Sequence, residues 1–499
     1  MPPSRFLLFY RFCDILAGMS EKRNMHMCDE FIRIRKEETF DIAVIGGGVA
    51  GCSAALAAAR NGAKVLLAES TGILGGQATL GLVTPLDARF TTGGKSFGGI
   101  LEEISEKTAA LTRDYCSCGT EGEVWEVASP HILKYVLLDL LTEAGVDIRF
   151  HTNLIGAHGK DDVITHVILS SKSGFGKIRA DSFIDATGDA DLTVLSGAAY
   201  VQGSEAGVFE QLNQTGLNKA HFSDREYSGY SHDGMMQPVS IFLLMGNVDV
   251  DKASKLNNKD LKFGDLGITR EVFENWKFAG SCGFEITGNA IPMPQGRILV
   301  SRSNRPDVAV INMSRVVGIN GADADSLNEG EIKAQKQVIA IVDFLKTFVP
   351  GFENSYFIQS GSTLGVRETR RMVGTYVLSG KEAIACKQFP YPVARGSYII
   401  DIHDPSGKAR AIGGNIRGEF YDIPFGCILS KTFSNLLACG RCISVDHVAH
   451  SSTRIQGTCI LTGQAAGTAA ALARKKGILP RELPEQELHR QLLADGVYL

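Results

Sequence analysis

Residues 41–45, Asp-Ile-Ala-Val-Ile, form a short apolar run behind the polar stretch 37–39. A short, continuous, β-branched run of this kind predicts a strand buried in a parallel sheet. Glycines follow at once. Residues 52–60 are then rich in alanine and stop at Asn61-Gly62, which predicts a helix with a glycine terminator. Residues 64–68 predict a second buried strand, closed by Glu69. The unit is β-α-β. An amphipathic helix is expected over 131–144, ended by Gly145. Three strand-like runs, 147–151, 163–171 and 177–179, predict a meander leading into another buried strand at 182–185. Residues 86–130 are glycine-rich and mixed, and are read as loops and short helices.

The pattern changes after residue 200. Alternation over 238–245 suggests a mixed sheet, and 329–347 carries apolar positions at helical spacing. The strand-then-helix pattern of the N-terminal part returns at 435–440, a buried strand, and at 459–476, a helix ended by Gly477. One fold is thus expected to be interrupted by a second and completed near the C-terminus.

With 499 residues, 44% hydrophobic, the chain can bury a large core. A net charge of -4 argues against nucleic acid as a partner. No apolar run reaches the roughly 18 residues of a membrane span. Residues 6–18 are apolar but broken by Arg11 and Asp14, so the N-terminus is read as an extension or an early start, with a signal peptide the weaker alternative. The eleven cysteines are scattered and odd in number, which fits reduced thiols and a cytoplasmic location. Cys439 and Cys442 have CxxC spacing across a strand end and a glycine turn; they are read as packing residues, with a redox disulfide as the sharper alternative.

Gly46-x-Gly48-x-x-Gly51 sits between the first strand and its helix, the context of a dinucleotide fingerprint. Its glycines permit the turn, the approach of a pyrophosphate and close helix packing. Val49 and Ala50 lie within this phosphate turn, and the N-terminus of the helix that follows would present free N–H groups to the phosphates. Glu69, about twenty residues on, is placed to accept ribose hydroxyls, with Ser70 beside it. Gly413-Gly414-Asn415 lacks the strand–helix context, so no second dinucleotide domain is expected.

Further stretches carry a resemblance. They are DIAVIGGGVAGCSAALAAARNGAKVLLAES, GILGGQATLGLVTP, FIDATGDADLTVLSGA, LGVRETRRMVGTYVLS and NLLACGRCISVDHVAHSSTRIQGTCILTGQAAGTAAALA, which together span 41–473. The chain resembles the FAD-dependent oxidoreductases of the glutathione-reductase-like superfamily, and more narrowly the group related to the heterodisulfide reductase flavoprotein subunit. The resemblance implies FAD, with Gly75, Gly76 and Gln77 near the pyrophosphate and ring system, and with Thr187, Gly188 and Asp189 as a second contact region. It also implies that Gly440 and Arg441 end the late strand beside the ribityl chain, and that Gln456, Gly457 and Thr458 point a helix N-terminus at the flavin. A 4Fe-4S cluster is suggested by the resemblance alone; the chain lacks the cysteine-rich cluster motif, and no metal ligand is assigned. The expected fold is α/β: a Rossmann-like FAD-binding domain with a central parallel sheet and a β-meander, interrupted by a mixed α+β substrate or cap domain. The boundaries are 1–36 for an extension, 37–200 and 416–480 for the FAD-binding domain, 201–415 for the cap and 481–499 for a tail.

The loop 444–454, Ser-Val-Asp-His-Val-Ala-His-Ser-Ser-Thr-Arg, lies between the flavin-edge strand and helix. His447 and His450 can exchange protons near neutral pH, and Arg454 can hold a carboxylate or the flavin. Arg367-Glu368-Thr369-Arg370-Arg371 offers either an anion site, with Arg367 the chosen residue, or an ion-pair network at a domain junction. His131 and His403 are assigned no role. The expected activity is hydride transfer between flavin and a small organic substrate. The alternatives are reduction of an unsaturated acid and electron transfer to a redox partner protein.

Overall fold

A computed structural model describes residues 33–86, 97–112, 117–118, 125–126, 129–205, 234–254, 300–303, 305–405 and 412–499. The N-terminal extension up to residue 32, and Cys13, Cys28, Cys116 and Cys282, lie outside the described residues.

A seven-stranded sheet organises the molecule. Its order is Asp147–Arg149, Val65–Ala68, Ile34–Ile45, Gly174–Asp185, Val163–Ser171, Asn153–Lys160, with Leu436–Ala438 also paired to Gly174–Asp185. The first four strands and Leu436–Ala438 run parallel. Val163–Ser171 and Asn153–Lys160 complete an antiparallel meander.

Three expectations for this sheet are corrected. The run at 147–151 is an edge of the parallel sheet, and Asn153–Lys160 takes its place in the meander. That strand carries Gly156 and Gly159 and no apolar run, so nothing in its pattern signals a strand. Residues 177–179 and 182–185 belong to one strand, Gly174–Asp185, which pairs along its length with Ile34–Ile45 in the parallel sheet and, over its first part, also with the meander. The first strand likewise starts at Ile34, because its exposed polar half pairs with Gly174–Asp185 through the backbone and through Glu37, which meets Lys177 and Arg179.

The helix Val49–Arg60 lies on the sheet and is buried from Val49 to Ala58. The closing helix Gln456–Lys476 crosses it closely. A Cβ at Gly463 would collide with Ala50 O, and one at Gly467 with Ala54 O. Ser53 Oγ donates to Ile460 O at 2.8 Å across the same contact. The other side of the sheet packs Phe40, Leu66, Phe183, Leu436 and Cys442.

A second core lies in the middle of the chain. The strands Val300–Arg302, Ala309–Ile311, Leu243–Gly246 and Tyr356–Ser360 form a four-stranded sheet in that order. Its pairs are all antiparallel, whereas alternation at 238–245 suggests a mixed sheet. The helix Ala324–Phe348 covers it and begins before its apolar spacing predicts, because Asp323 caps it by accepting from Ser326 N–H at 2.9 Å. Residues 97–112 include the helix Gly99–Thr112, longer than the short helices expected there. The stretch expected as a tail carries the helix Glu485–Ala494, which buries Leu488 and Leu492 one turn apart. Among the described residues, no helix is long and apolar enough to cross a membrane.

Gly467→Val would force a branched side chain against the backbone of Val49–Arg60. The expected cost is about 1–3 kcal/mol, the usual range for overpacking a tight core. Urea denaturation checks it; an unchanged midpoint would mean the two helices do not meet this closely.

Candidate active site

The glycine turn is shaped by its surroundings. Gly46 has φ +105°, and a side chain there would strike Ala186 O. Gly51 packs on Gly46 O. Gly48 differs: a Cβ there would meet no atom within 4 Å. Gly48 and Gly75 pair as a bridge, Gly75 N–H donates to Gly47 O at 2.8 Å, and Gly76 lies against Gly48. A glycine-lined groove therefore opens at the N-terminus of the helix that starts with Val49 and Ala50. Glu69 closes one end. Its Oε2 accepts from Gly47 N–H at 2.7 Å, while Oε1 accepts from Thr71 N–H at 2.7 Å and from Ser70 Oγ at 3.2 Å.

The strand ends form the other end of the groove. Thr187 Oγ1 donates to Asp185 Oδ1 at 2.7 Å, which fixes the turn at Gly188. The Arg441 guanidinium lies against Gly188 and donates to Asp189 Oδ1 at 2.8 Å. Gly440 packs on Ala50. Gln77 Nε2 donates to Leu364 O at 3.0 Å and Gln456 Nε2 to Val83 O. Gly457 N–H is already taken by Leu86 O at 2.9 Å, and Thr458 is the next residue on that helix turn. Gln77 Oε1, Gln456 Oε1 and Arg441 Nε are buried without a partner. Open space at Gly48 and unpaired polar atoms along the groove suit a polar dinucleotide. The residues present fit FAD.

The expected loop at 444–454 holds a short helix, His447–Thr453. Its cap is Asp446, which accepts from Ala449 N–H and Gly380 N–H, each at 2.7 Å. Sequence pattern misses it because its polar residues all point into protein. Asp401 N–H donates to Ser451 Oγ at 3.2 Å, and Ser452 meets Tyr421 OH at 2.7 Å.

The helix aligns His447 and His450, three residues apart on one face. His447 is fully buried, and its Nδ1 lies 2.7 Å from Glu368 Oε1. An ionised carboxylate only accepts, so Nδ1 carries the proton and Nε2 is left as the exchangeable site. Nε2 is buried with no partner. Burial opposes ionisation of Glu368, but the His447 ring and the Arg371 charge outweigh it and hold the carboxyl well below the usual range. Burial pushes His450 well below the ordinary histidine value, and the Arg371 and Arg454 charges add to that against the pull of Glu368. Its ring is neutral, and neither nitrogen has a partner.

The arginine run separates into two roles. Arg371 is fully buried and saturated by Val445 O, Glu368 Oε1, Gly203 O and Glu205 Oε1, at 2.6 to 3.0 Å. Arg370 pairs with Asp191 and donates to Asp189 O at 2.8 Å. These two form the ion-pair network. Arg367 lies apart and is half-buried; Nη1 donates to Pro238 O at 2.6 Å. Burial, and then the Arg454 charge, push Arg367 down to about 9. Arg454 Nη2 donates to Asp401 O at 3.1 Å, and its Nε has no partner.

Four residues of this cluster are not singled out by sequence reasoning. Asp401 and His403 lie two apart along an extended segment, with Nε2 to Oδ2 at 3.5 Å. That Asp-x-His spacing is the available signal. Burial and Arg367 push His403 down to about 3, so its ring is neutral near pH 7. Glu368 is hidden inside an arginine-rich run. Gln237 Oε1 accepts from His403 N–H at 3.0 Å while its own N–H donates to Glu368 Oε2 at 3.4 Å, and so bridges the two histidine–carboxylate pairs. His131 instead borders a separate cavity of about 400 Å³ with Thr84, Arg305 and Tyr356.

Cys439 and Cys442 are free and buried on opposite sides of the sheet, and burial raises both thiols well above the usual value. That is the packing role. Among the described residues, no group of three or more His, Cys, Asp or Glu could hold a metal.

A model of the FAD dependent oxidoreductase family matches residues 41–492. The chain belongs to that family, and it is an FAD-dependent oxidoreductase. No curated protein matches it. Solved structures that are similar include a geranylgeranyl bacteriochlorophyll reductase-like protein from Thermoplasma acidophilum, 15% identical over 92% of this chain and 85% of that one, with a TM-score of 0.42. A p-nitrophenol 4-monooxygenase from Pseudomonas putida is 10% identical over 88% of this chain and 81% of that one, also with a TM-score of 0.42. The flavin-dependent brominase Bmp2 is 10% identical over 91% and 83%, with the same score.

Glu69→Ala should lower the FAD retained after gel filtration and leave the far-ultraviolet circular dichroism unchanged. Wild-type FAD content in the variant would show that Glu69 does not hold the cofactor.

Proposed function

We propose that this chain oxidises or reduces a small organic substrate, with bound FAD supplying the hydride exchange and His447 the proton transfer. The observation that carries the reading is the His447–Glu368 pair. Glu368 fixes the ring and its tautomer, and it stabilises the imidazolium that forms when Nε2 takes a proton. Arg371 donates to the same carboxylate oxygen, Oε1, and the Gln237 backbone N–H donates to Oε2, so both oxygens of Glu368 are held. His450 is neutral and lines the same face, which keeps the pocket polar without adding charge. In this reading the segment 201–415 caps the cofactor and excludes water, and an arginine orients the substrate.

A second reading is electron transfer to a partner protein, as the resemblance to heterodisulfide reductase flavoproteins suggests. One observation favours it: the strand Tyr356–Ser360 edges its sheet and exposes Tyr356, Phe357 and Ile358. An iron–sulfur protein retained on the purified chain would support that reading.

His447→Asn should lower the rate of flavin reduction or reoxidation by its substrate roughly 10²- to 10⁴-fold, the usual contribution of a positioned acid or base, with FAD content unchanged. Stopped-flow absorbance at the flavin band checks it. A wild-type rate would remove His447 from the chemistry.

A further inference from the structure

We propose that the cavity between the four-stranded sheet and the start of the helix Pro130–Glu143 binds an uncharged, largely apolar ring compound that carries a hydroxyl. The cavity has a volume of about 400 Å³, and none of His447, His450, Arg367 and Arg454 lines it, so it is distinct from the histidine–arginine cluster. It arises because the sheet is covered unevenly. Successive residues of a strand face opposite ways. Leu243, Met245, Ala309 and Ile311 share a core with Val338 and Ile341 of the helix Ala324–Phe348. Phe242, Leu244, Val308 and Val310 face the other way and form a small cluster with Leu82 and Val83. Leu244, Val308 and Val310 give the cavity its apolar floor. An apolar cavity of roughly 150 Å³ takes one benzene ring, so this one has room for roughly two fused rings.

The rest of the lining sets the polarity of the ligand. Tyr356 lies across Gly246, where a Cβ would collide with its ring, and stays exposed at the rim, able to meet a ligand ring offset or edge-on. The charged groups of the lining answer one another. Arg305 Nε lies 3.7 Å from Asp307 Oδ1, both exposed. Burial, and then the Lys134 charge, lower His131 below the ordinary histidine value, so its ring is neutral near pH 7. A carboxylate on the ligand would find no unpaired cation and would lose its water. Ser303 Oγ is taken up by the Arg305 backbone, accepting from N–H at 3.0 Å and donating to O at 3.2 Å. Thr84 differs: it is 2% exposed, and its hydroxyl has no partner. Ser129, also in the lining, makes no side-chain capping bond. A ligand hydroxyl both donates and accepts, and so satisfies a group of this kind. The segment around Thr84 is held from the cofactor side, where Gln456 Nε2 donates to Val83 O and Gly457 N–H to Leu86 O, so this wall stands before any ligand arrives.

Equilibrium dialysis of the FAD-loaded protein at pH 7 against 2-naphthol, naphthalene and 2-naphthoate tests this. 2-Naphthol should be retained, naphthalene should bind roughly 2- to 12-fold more weakly, the worth of one neutral hydrogen bond, and 2-naphthoate should show no measurable binding. Thr84→Val keeps the shape of the side chain and removes the hydroxyl. It should bring 2-naphthol down to the affinity of naphthalene and leave naphthalene unchanged. Its urea midpoint should not fall, because the hydroxyl has no partner in the fold to lose. Three results overturn the proposal: no retention of 2-naphthol, 2-naphthoate bound as tightly as 2-naphthol, or wild-type affinity for 2-naphthol in Thr84→Val. A lowered midpoint, or loss of naphthalene together with 2-naphthol, also overturns it, by making Thr84 a structural residue. None of these outcomes touches the proton-transfer role, which stands or falls on the His447→Asn rate.

Discussion

Everything at the active site depends on two helices meeting at backbone distance. The helix after the glycine turn and the closing helix are some 400 residues apart in sequence, and Gly463 and Gly467 let them touch along Ala50 and Ala54. Glycine in a helix interior costs about 0.5–1 kcal/mol against alanine. It is kept here because any side chain would push the closing helix off the dinucleotide fold. The closing helix carries Gln456 at its start, and the short helix just before it carries His447 and His450. Close packing of two remote segments therefore fixes where the closing helix starts, and with it the short helix that carries His447, the residue proposed to move the proton.

The second organising feature is a buried carboxylate. Glu368 is 1% exposed and serves Arg371, His447 and Gln237 together. A buried carboxylate is stable only when its partners replace water, and these do. The arrangement decides which imidazole nitrogen is free. Asp401 plays a parallel part for His403 and Arg454. The site thus has two histidine–carboxylate pairs, bridged by Gln237, around a pair of arginines.

Much of the cofactor fold is legible in the sequence, because a glycine turn between a buried strand and an alanine-rich helix has few alternatives. The strand at 41–45, the acidic residue at 69 and the late strand and helix all carry local signals. The meander is misread at 147–160, where Gly156 and Gly159 erase the apolar pattern and pairing alone makes the strand. His447, His450 and Arg454 are legible as a group, because the loop that holds them follows the strand that ends at the cofactor. Glu368, Asp401, His403 and Gln237 are not. Their importance comes from contacts between segments more than 40 residues apart, and a carboxylate inside Arg-Glu-Thr-Arg-Arg gives no sign of which partner it will meet.

The groove at Gly48, rimmed by Glu69 and Arg441, is where FAD would sit and meet the His447 face. The most direct measurement of that arrangement is the identity and amount of flavin released when the purified protein is heated. The expected result is a yellow protein that releases FAD, not FMN, in equimolar amount. A colourless protein that FAD does not reconstitute would contradict it.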